Sequence, residues 1–186
     1  MNVGEIKKEI IQKVSNDNYR IIQTLFDNDC RQIEELPIDE FLAILSFKSA
    51  QFNAPAFERR LQLKGCRKLL PAENKGDFKL PMLDKEIELK MSFPNIGNNI
   101  NITQIRLWQD CDYIITYCDY NNKNHKTYFI THEQMLNEIK KLGNACHGTK
   151  EANKENSKIE YGITLSLNNN VWDCYLNNEL NEFIYS

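Results

Sequence analysis

The segment EIELKM at 86–91 alternates without a break, with Glu86, Glu88 and Lys90 standing between Ile87, Leu89 and Met91. Successive side chains on a β-strand project to opposite faces, so this pattern forms a strand with three charges on one side and three apolar groups on the other. A helix does not satisfy it, because residues two apart share no helical face. A half-buried strand of this kind needs partners, and the text just upstream supplies one. In GDFKLPMLDKEIEL, Asp77 follows Gly76, and Pro81 and Asp84 mark a turn. A hairpin there brings the end of a short strand at about 76–80 beside the middle of a second at about 85–92.

The rest of the chain builds around that hairpin. Apolar periodicity predicts helices at about 3–15, 17–28, 38–48 and 54–65, the last stopped by Gly65. Further strands are expected at about 102–108, 112–119 and 126–130. Thr131 caps a helix, THEQMLNEIKKLG, whose polar first turn holds Glu133 and Gln134. A loop at 144–157 leads to the strand KIEYGITL, and a last helix is expected at about 171–183. Helices, a meander of strands and then β-α-β-α give an α/β fold, a central mixed β-sheet flanked by helices on both sides. At 186 residues, with neither an internal repeat nor a low-complexity linker, the chain fits one domain. Its parts are N-terminal helices at about 3–48, a core at about 54–130 and the loop at about 144–158.

No stretch approaches eighteen uninterrupted apolar residues, which argues against a membrane span. The N-terminus, MNVGEIKKEIIQKV, lacks the apolar centre of a signal peptide, so a cytoplasmic location is expected. The six cysteines show no metal-like spacing and read as reduced thiols, mostly filling core space. A net charge of −3 excludes a surface uniformly coated in positive charge. Charge is segregated all the same: ERRLQLKGCRK at 58–68 holds five bases against one acid.

The chemistry sits on the hairpin. An acid two residues before a lysine occurs five times: Glu5/Lys7, Glu73/Lys75, Asp77/Lys79, Glu88/Lys90 and Glu138/Lys140. Only Glu88/Lys90 lies on an alternating strand with another carboxylate, Asp77, a hairpin's length away. Two carboxylates a few ångströms apart are costly unless a cation lies between them, and hard oxygen ligands suit Mg²⁺. A metal there offsets charge on a phosphodiester and acidifies bound water, while a lysine on the same face orients or deprotonates that water. Simpler readings of the same residues exist. Asp77 after a glycine is ordinary turn chemistry, and the charged face is a solvated strand surface. Glu58 beside Arg59 and Arg60 reads by itself as a surface helix residue. Gln104 and Arg106 suit structural and functional roles equally, and His125 and His132 read as loop and cap residues.

Asp77, ten residues, then Glu88-Leu89-Lys90 resembles the active-site motif of the PD-(D/E)XK nuclease superfamily, in particular type II restriction endonucleases. The motif proline is replaced by Gly76. FERRLQLKGCRKLLPAENKGDF is similar to the family's active-site helix leading into the aspartate strand, and NITQIRLWQDCDYIITYCDY to its next two core strands; the resemblance covers roughly residues 41–165. It implies a restriction-endonuclease-like core in which Asp77, Glu88 and the Leu89 carbonyl hold Mg²⁺, with Mn²⁺ as substitute. Lys90 then acts on the attacking water, Glu58 supports the outer shell, and Gln104 lies near the site. The implied activity is sequence-specific cleavage of double-stranded DNA within a restriction system, leaving 5′-phosphate and 3′-hydroxyl ends.

The loop GNACHGTKEANKENSK carries Asn144, His147, Thr149, Lys150, Asn153 and Lys154 with almost nothing apolar. Amides, a hydroxyl and lysines suit base edges and phosphates, which makes this the expected DNA-reading segment; the alternative is a solvated surface loop. One active site per chain implies a homodimer on a palindromic duplex, with a nicking or heterodimeric arrangement as the alternative. A repair or junction-resolving nuclease on the same core and a non-catalytic nucleic-acid-binding or interaction protein are the rival readings.

Overall fold

The computed structural model describes residues 33–46, 50–70, 76–119, 124–142, 144–145 and 159–186. The helices expected at 3–15 and 17–28 lie outside the described residues. The fold is mixed α/β. After a 3-10 turn at Ile33–Glu35 come helices α1 (Ile38–Leu45) and α2 (Ala50–Leu63), then strands β1 (Arg67–Lys68), β2 (Phe78–Lys79) and β3 (Glu86–Ser92). Next are β4 (Asn99–Arg106), β5 (Asp112–Asp119), β6 (Asn124–Ile130), α3 (His132–Leu142), β7 (Asn144–Ala145) and β8 (Glu160–Ser166). A 3-10 turn at Asp173–Tyr175 precedes α4 (Asn178–Tyr185).

Local chemistry explains the punctuation. Gly65 adopts φ +88° at the end of α2, and the Cys66 N–H returns to the Leu61 carbonyl at 3.0 Å, a glycine stop that frees the chain to turn into β1. Thr131 and Gln134 form a reciprocal capping box at the head of α3: Gln134 N–H donates to Thr131 Oγ1 at 3.3 Å, and Thr131 N–H to Gln134 Oε1 at 2.9 Å.

The strands form two sheets among the described residues, one of five strands in the order β1-β2-β3-β5-β6 and one of three in the order β4-β8-β7. In the larger sheet β2 and β3 are the antiparallel hairpin read from the sequence, while β3 and β5 run parallel with Glu88 against Tyr113. β5 is buried along nearly its whole length, so both of its faces are covered. On one face Ile87, Ile114 and Phe78 pack with Phe41, Phe57 and Ile184 of the helices. On the other, Tyr113, Ile115 and Ile130 pack with Ile100, Ile163 and Met135.

Several expectations are corrected. The five-stranded mixed sheet does carry helices on both faces, α1, α2 and α4 on one and α3 on the other, but a smaller sheet, expected as part of the single sheet, shares the second face with α3. The strand expected at 102–108 begins at Asn99 and belongs to the smaller sheet, because Ile100, Ile102 and Ile105 match β8 and close the second core. The terminal helix expected at 171–183 starts only at Asn178, where the Asn177 side chain accepts from the Leu180 N–H. No helix among the described residues is long and apolar enough to cross a membrane.

Candidate active site between the hairpin and the second sheet

The β2–β3 register, Phe78 to Ile87 and Lys79 to Glu86, carries Asp77 alongside Glu88 one step past the end of β2. Two backbone bonds secure that step. The Asp77 N–H donates to the Ile87 carbonyl at 2.8 Å, and the Asp77 carbonyl accepts from Leu69 N–H at 2.8 Å beside β1. Gly76 makes the approach possible. It sits at φ +104°, and a Cβ there would lie 2.8 Å from the carbonyl carbon and oxygen of Ile87. A glycine before the aspartate is therefore a requirement of the hairpin's own geometry.

Because Ile87, Leu89 and Met91 pack against the helical layer, Glu88 and Lys90 face the second sheet. Between them and β4 lies a cleft of about 620 Å³ whose walls include Glu58, Asp77, Glu88, Leu89, Lys90 and Gln104. Those six sequence-predicted residues are thus brought together. Lys90 Nζ donates to Glu88 Oε1 at 2.6 Å, and Leu89 N–H donates to Asp77 Oδ2 at 3.3 Å. Glu88 Oε2 is buried and meets no hydrogen-bond partner among the described residues. Burial first, and the charge of Glu88 second, push the Asp77 carboxyl up to about 6, with Lys90 and the Leu89 N–H pulling the other way. Glu58, at the cleft edge, pairs with Lys68 at 2.6 Å.

Among the described residues no group of three or more His, Cys, Asp or Glu side chains is gathered closely enough to cage a metal. Magnesium asks for less than a cage: one or two carboxylates and retained water suffice. Asp77 and Glu88 meet that demand, with an unmatched buried oxygen on Glu88 as the donor still to be satisfied. The residues present therefore fit Mg²⁺, which Asp77, Glu88 and the Leu89 carbonyl would hold.

Other expected features take structural roles or fall outside. The basic run at 58–68 is largely engaged within the fold. Arg59 pairs with Glu34 at 2.6 Å, and Arg60 donates to the Glu34 and Leu36 carbonyls at 2.8 and 2.7 Å. Lys64 donates to the Phe183 and Ser186 carbonyls at 2.8 and 2.7 Å. His125, expected in a loop, is in β6 and stacks on Tyr185 with ring centroids 4.4 Å apart. Glu138 of the helical acid-x-Lys match accepts from Trp172 Nε1 at 3.0 Å and Tyr175 OH at 3.1 Å, which pins the C-terminal segment to α3. Of the expected DNA-reading residues, Asn144 lies in strand β7, paired with Gly162, where a loop was expected. His147, Thr149, Lys150, Asn153 and Lys154 lie outside the described residues.

Sequence reasoning passed over part of the cleft. Asn101 and Thr103 line it from β4, as does Asn53 from α2; Arg106, which the sequence left open between a structural and a functional role, lines it from β4 as well. For β4 a signal existed. The buried isoleucines fall at 100, 102 and then 105, so the alternation slips by one. That slip is a bulge, Thr103 and Gln104 opposing Gly162 alone, and it turns Gln104 and Arg106 to the face already shared by Asn101. A smaller cavity of about 220 Å³ beside Tyr128 and Trp172 holds the Lys126–Asp173 pair and no comparable group of acids. No protein-family model, no curated protein and no solved structure matches this chain.

Proposed function

We propose that this chain is a Mg²⁺-dependent, sequence-specific double-stranded DNA endonuclease of a restriction system, built on a restriction-endonuclease-like core. The observation that carries the reading is the meeting of Asp77, Glu88 and Lys90 in one cleft, where a buried Glu88 oxygen has no partner among the described residues. Mg²⁺, or Mn²⁺ in its place, supplies charge compensation at the scissile phosphate and lowers the pKa of bound water. The chain's own residues do the positioning. Asp77 is held by the Leu89 N–H, and Glu88 is held by Lys90, so each carboxylate is oriented before substrate arrives. Lys90, only 17% exposed at its side chain, directs its ammonium group at the water that attacks in line with the leaving 3′-oxygen. Glu58 stands at the rim to orient outer water. Cleavage yields 5′-phosphate and 3′-hydroxyl ends, and a homodimer cuts both strands of a palindrome.

The test is digestion of phage DNA by the purified protein in Mg²⁺, repeated with EDTA. Discrete bands that vanish with EDTA and with Lys90→Ala, while Lys90→Ala still binds the cut site, are expected. Lys140→Ala, altered in a helix outside the cleft, should cut as wild type does. Cleavage that follows DNA shape and not sequence would assign the chain to junction or repair work. Uncut DNA under Mg²⁺ and Mn²⁺ would leave the cleft a charged surface.

A further inference from the structure

We infer that Arg106, steadied by Glu160, grips the phosphate backbone from the β4 wall of the cleft, opposite Asp77 and Glu88, and that the β4 bulge exists to present it. This inference rests on the nuclease reading of the same cleft and adds to it the residue that positions the scissile group.

Four observations converge. First, among the described residues two cationic side chains line the cleft, Lys90 and Arg106. Lys90 is committed to Glu88 at 2.6 Å. Second, Arg106 donates to Glu160 Oε1 through Nε alone, at 2.9 Å. Among the described residues its terminal amino groups enter no hydrogen bond, and the side chain is 32% exposed. A guanidinium held at Nε by a carboxylate keeps its two outer donors in a fixed fork, the geometry that matches two oxygens of a phosphate. Third, Arg106 faces the cleft only because of the bulge. Without the extra residue between Ile102 and Ile105, strict alternation would send the residue at 106 inward with Ile100 and Ile102. Fourth, the bulge is held at a conformational cost: Gln104 sits at φ +57°, a left-handed backbone that non-glycine residues seldom adopt.

The chemistry follows from position. Asp77 and Glu88 draw a cation to one side of a bound phosphodiester, and Arg106 offers two N–H groups from the other. Such a clamp fixes the phosphorus between the two walls and meets the charge that grows on its oxygens during displacement. Glu160, pairing with Arg106 both along the strand register and through its side chain, is a positioning residue that keeps the fork aimed.

Wild type, Arg106→Gln, Arg106→Lys and Glu160→Gln are compared for melting temperature, for binding to one phage DNA fragment in Ca²⁺ across a salt series, and for single-turnover cleavage in Mg²⁺. Arg106→Gln should stay folded, lose about one unit of salt slope, and cut about 10²–10³-fold more slowly. Arg106→Lys should keep the slope and recover only part of the rate, since it restores charge without the fork. Glu160→Gln should keep the slope and lose about tenfold in rate. If Arg106→Gln does not fold, the Arg106→Lys result decides: wild-type cleavage overturns the inference. Cleavage and slope unchanged in Arg106→Gln reduce the pair to a strand tether and leave the nuclease reading intact. A wild type that binds but never cuts defeats the nuclease reading, and the slope of Arg106→Gln then decides the inference by itself: a loss of one unit supports it, no change overturns it.

Discussion

At the level of single residues, the chain places its constraints where the chemistry is. Gly76 is the clearest case, since positive φ and the close Ile87 peptide leave no room for a side chain. Gly76→Ala should destabilise the protein by roughly 1–3 kcal/mol and swing Asp77 away from Glu88. Thermal melts with and without Mg²⁺ check both effects: wild type should gain stability from the metal by mass action, and the variant should gain little. An equal gain in both proteins would mean that Asp77 takes no part in holding it. His125 carries a pH prediction. Burial holds its imidazole below the ordinary histidine value of 6.5, with Asp39 and Asp119 opposing that shift and Tyr185 covering the ring. The folded state therefore disfavours the imidazolium, so this contribution to stability is intact above about 6.5 and is lost as the pH falls below it. His125→Phe keeps the stacked ring, and the difference in stability between it and wild type should grow in its favour as the pH drops from 7 to 5. Asp77, Glu88 and Lys90 were legible because strand alternation and a hairpin turn together fix which side chains meet. For Arg106 the sequence left structural and functional roles open, because its direction depends on one extra residue in a strand whose partner, β8, lies more than fifty positions away.

Elements with their own local signals came through and those that borrow stability did not. α3 announced itself by its capping box and β3 by its alternation. β1 is two exposed residues held by pairing to β2, and nothing in Arg67 and Lys68 alone asks for a strand. The assignment of β4 to a second sheet was hidden for the same reason, since alternation states which face is apolar and not which sheet supplies its partner. α4 shows how such an element is anchored. Tyr185 OH lies 2.7 Å from Thr116 Oγ1 and donates to the Tyr117 carbonyl at 3.1 Å, while Thr116 and Thr127 share a bond at 3.0 Å. Tyr185→Phe keeps the ring against Phe57 and His125 but strips a buried network of its centre. It should cost about 1–2 kcal/mol, a fall in melting temperature of roughly 2–8 °C. A variant that melts with wild type would show that the two threonines satisfy each other without the phenol.

For the molecule as a whole, the proposed nuclease function raises the question of how a chain of net charge −3 with a partly acidic cleft would handle a polyanion cut in two places. Arg59, Arg60, Lys64 and Lys68 are tied to carboxylates and carbonyls of the same fold, so the basic run at 58–68 contributes little free positive field to a long duplex. On the proposed reading, attraction is then concentrated at the cleft, where Arg106 stands across from Asp77 and Glu88. On that reading a single set of Asp77, Glu88 and Lys90 would break one phosphodiester per encounter. Two strands of a palindrome present the same chemistry twice, related by a two-fold axis, and a homodimer would supply a second site in the matching orientation. The two arrangements differ in kinetics. A homodimer should convert supercoiled plasmid to linear product with little open circle accumulating. Below its dissociation constant, its rate should rise as the square of protein concentration. A chain acting alone should build up open circles first, at a rate linear in concentration. Agarose-gel time courses over a dilution series separate the two. Open circles that accumulate and persist at every concentration would rule out the homodimer and assign the chain to nicking.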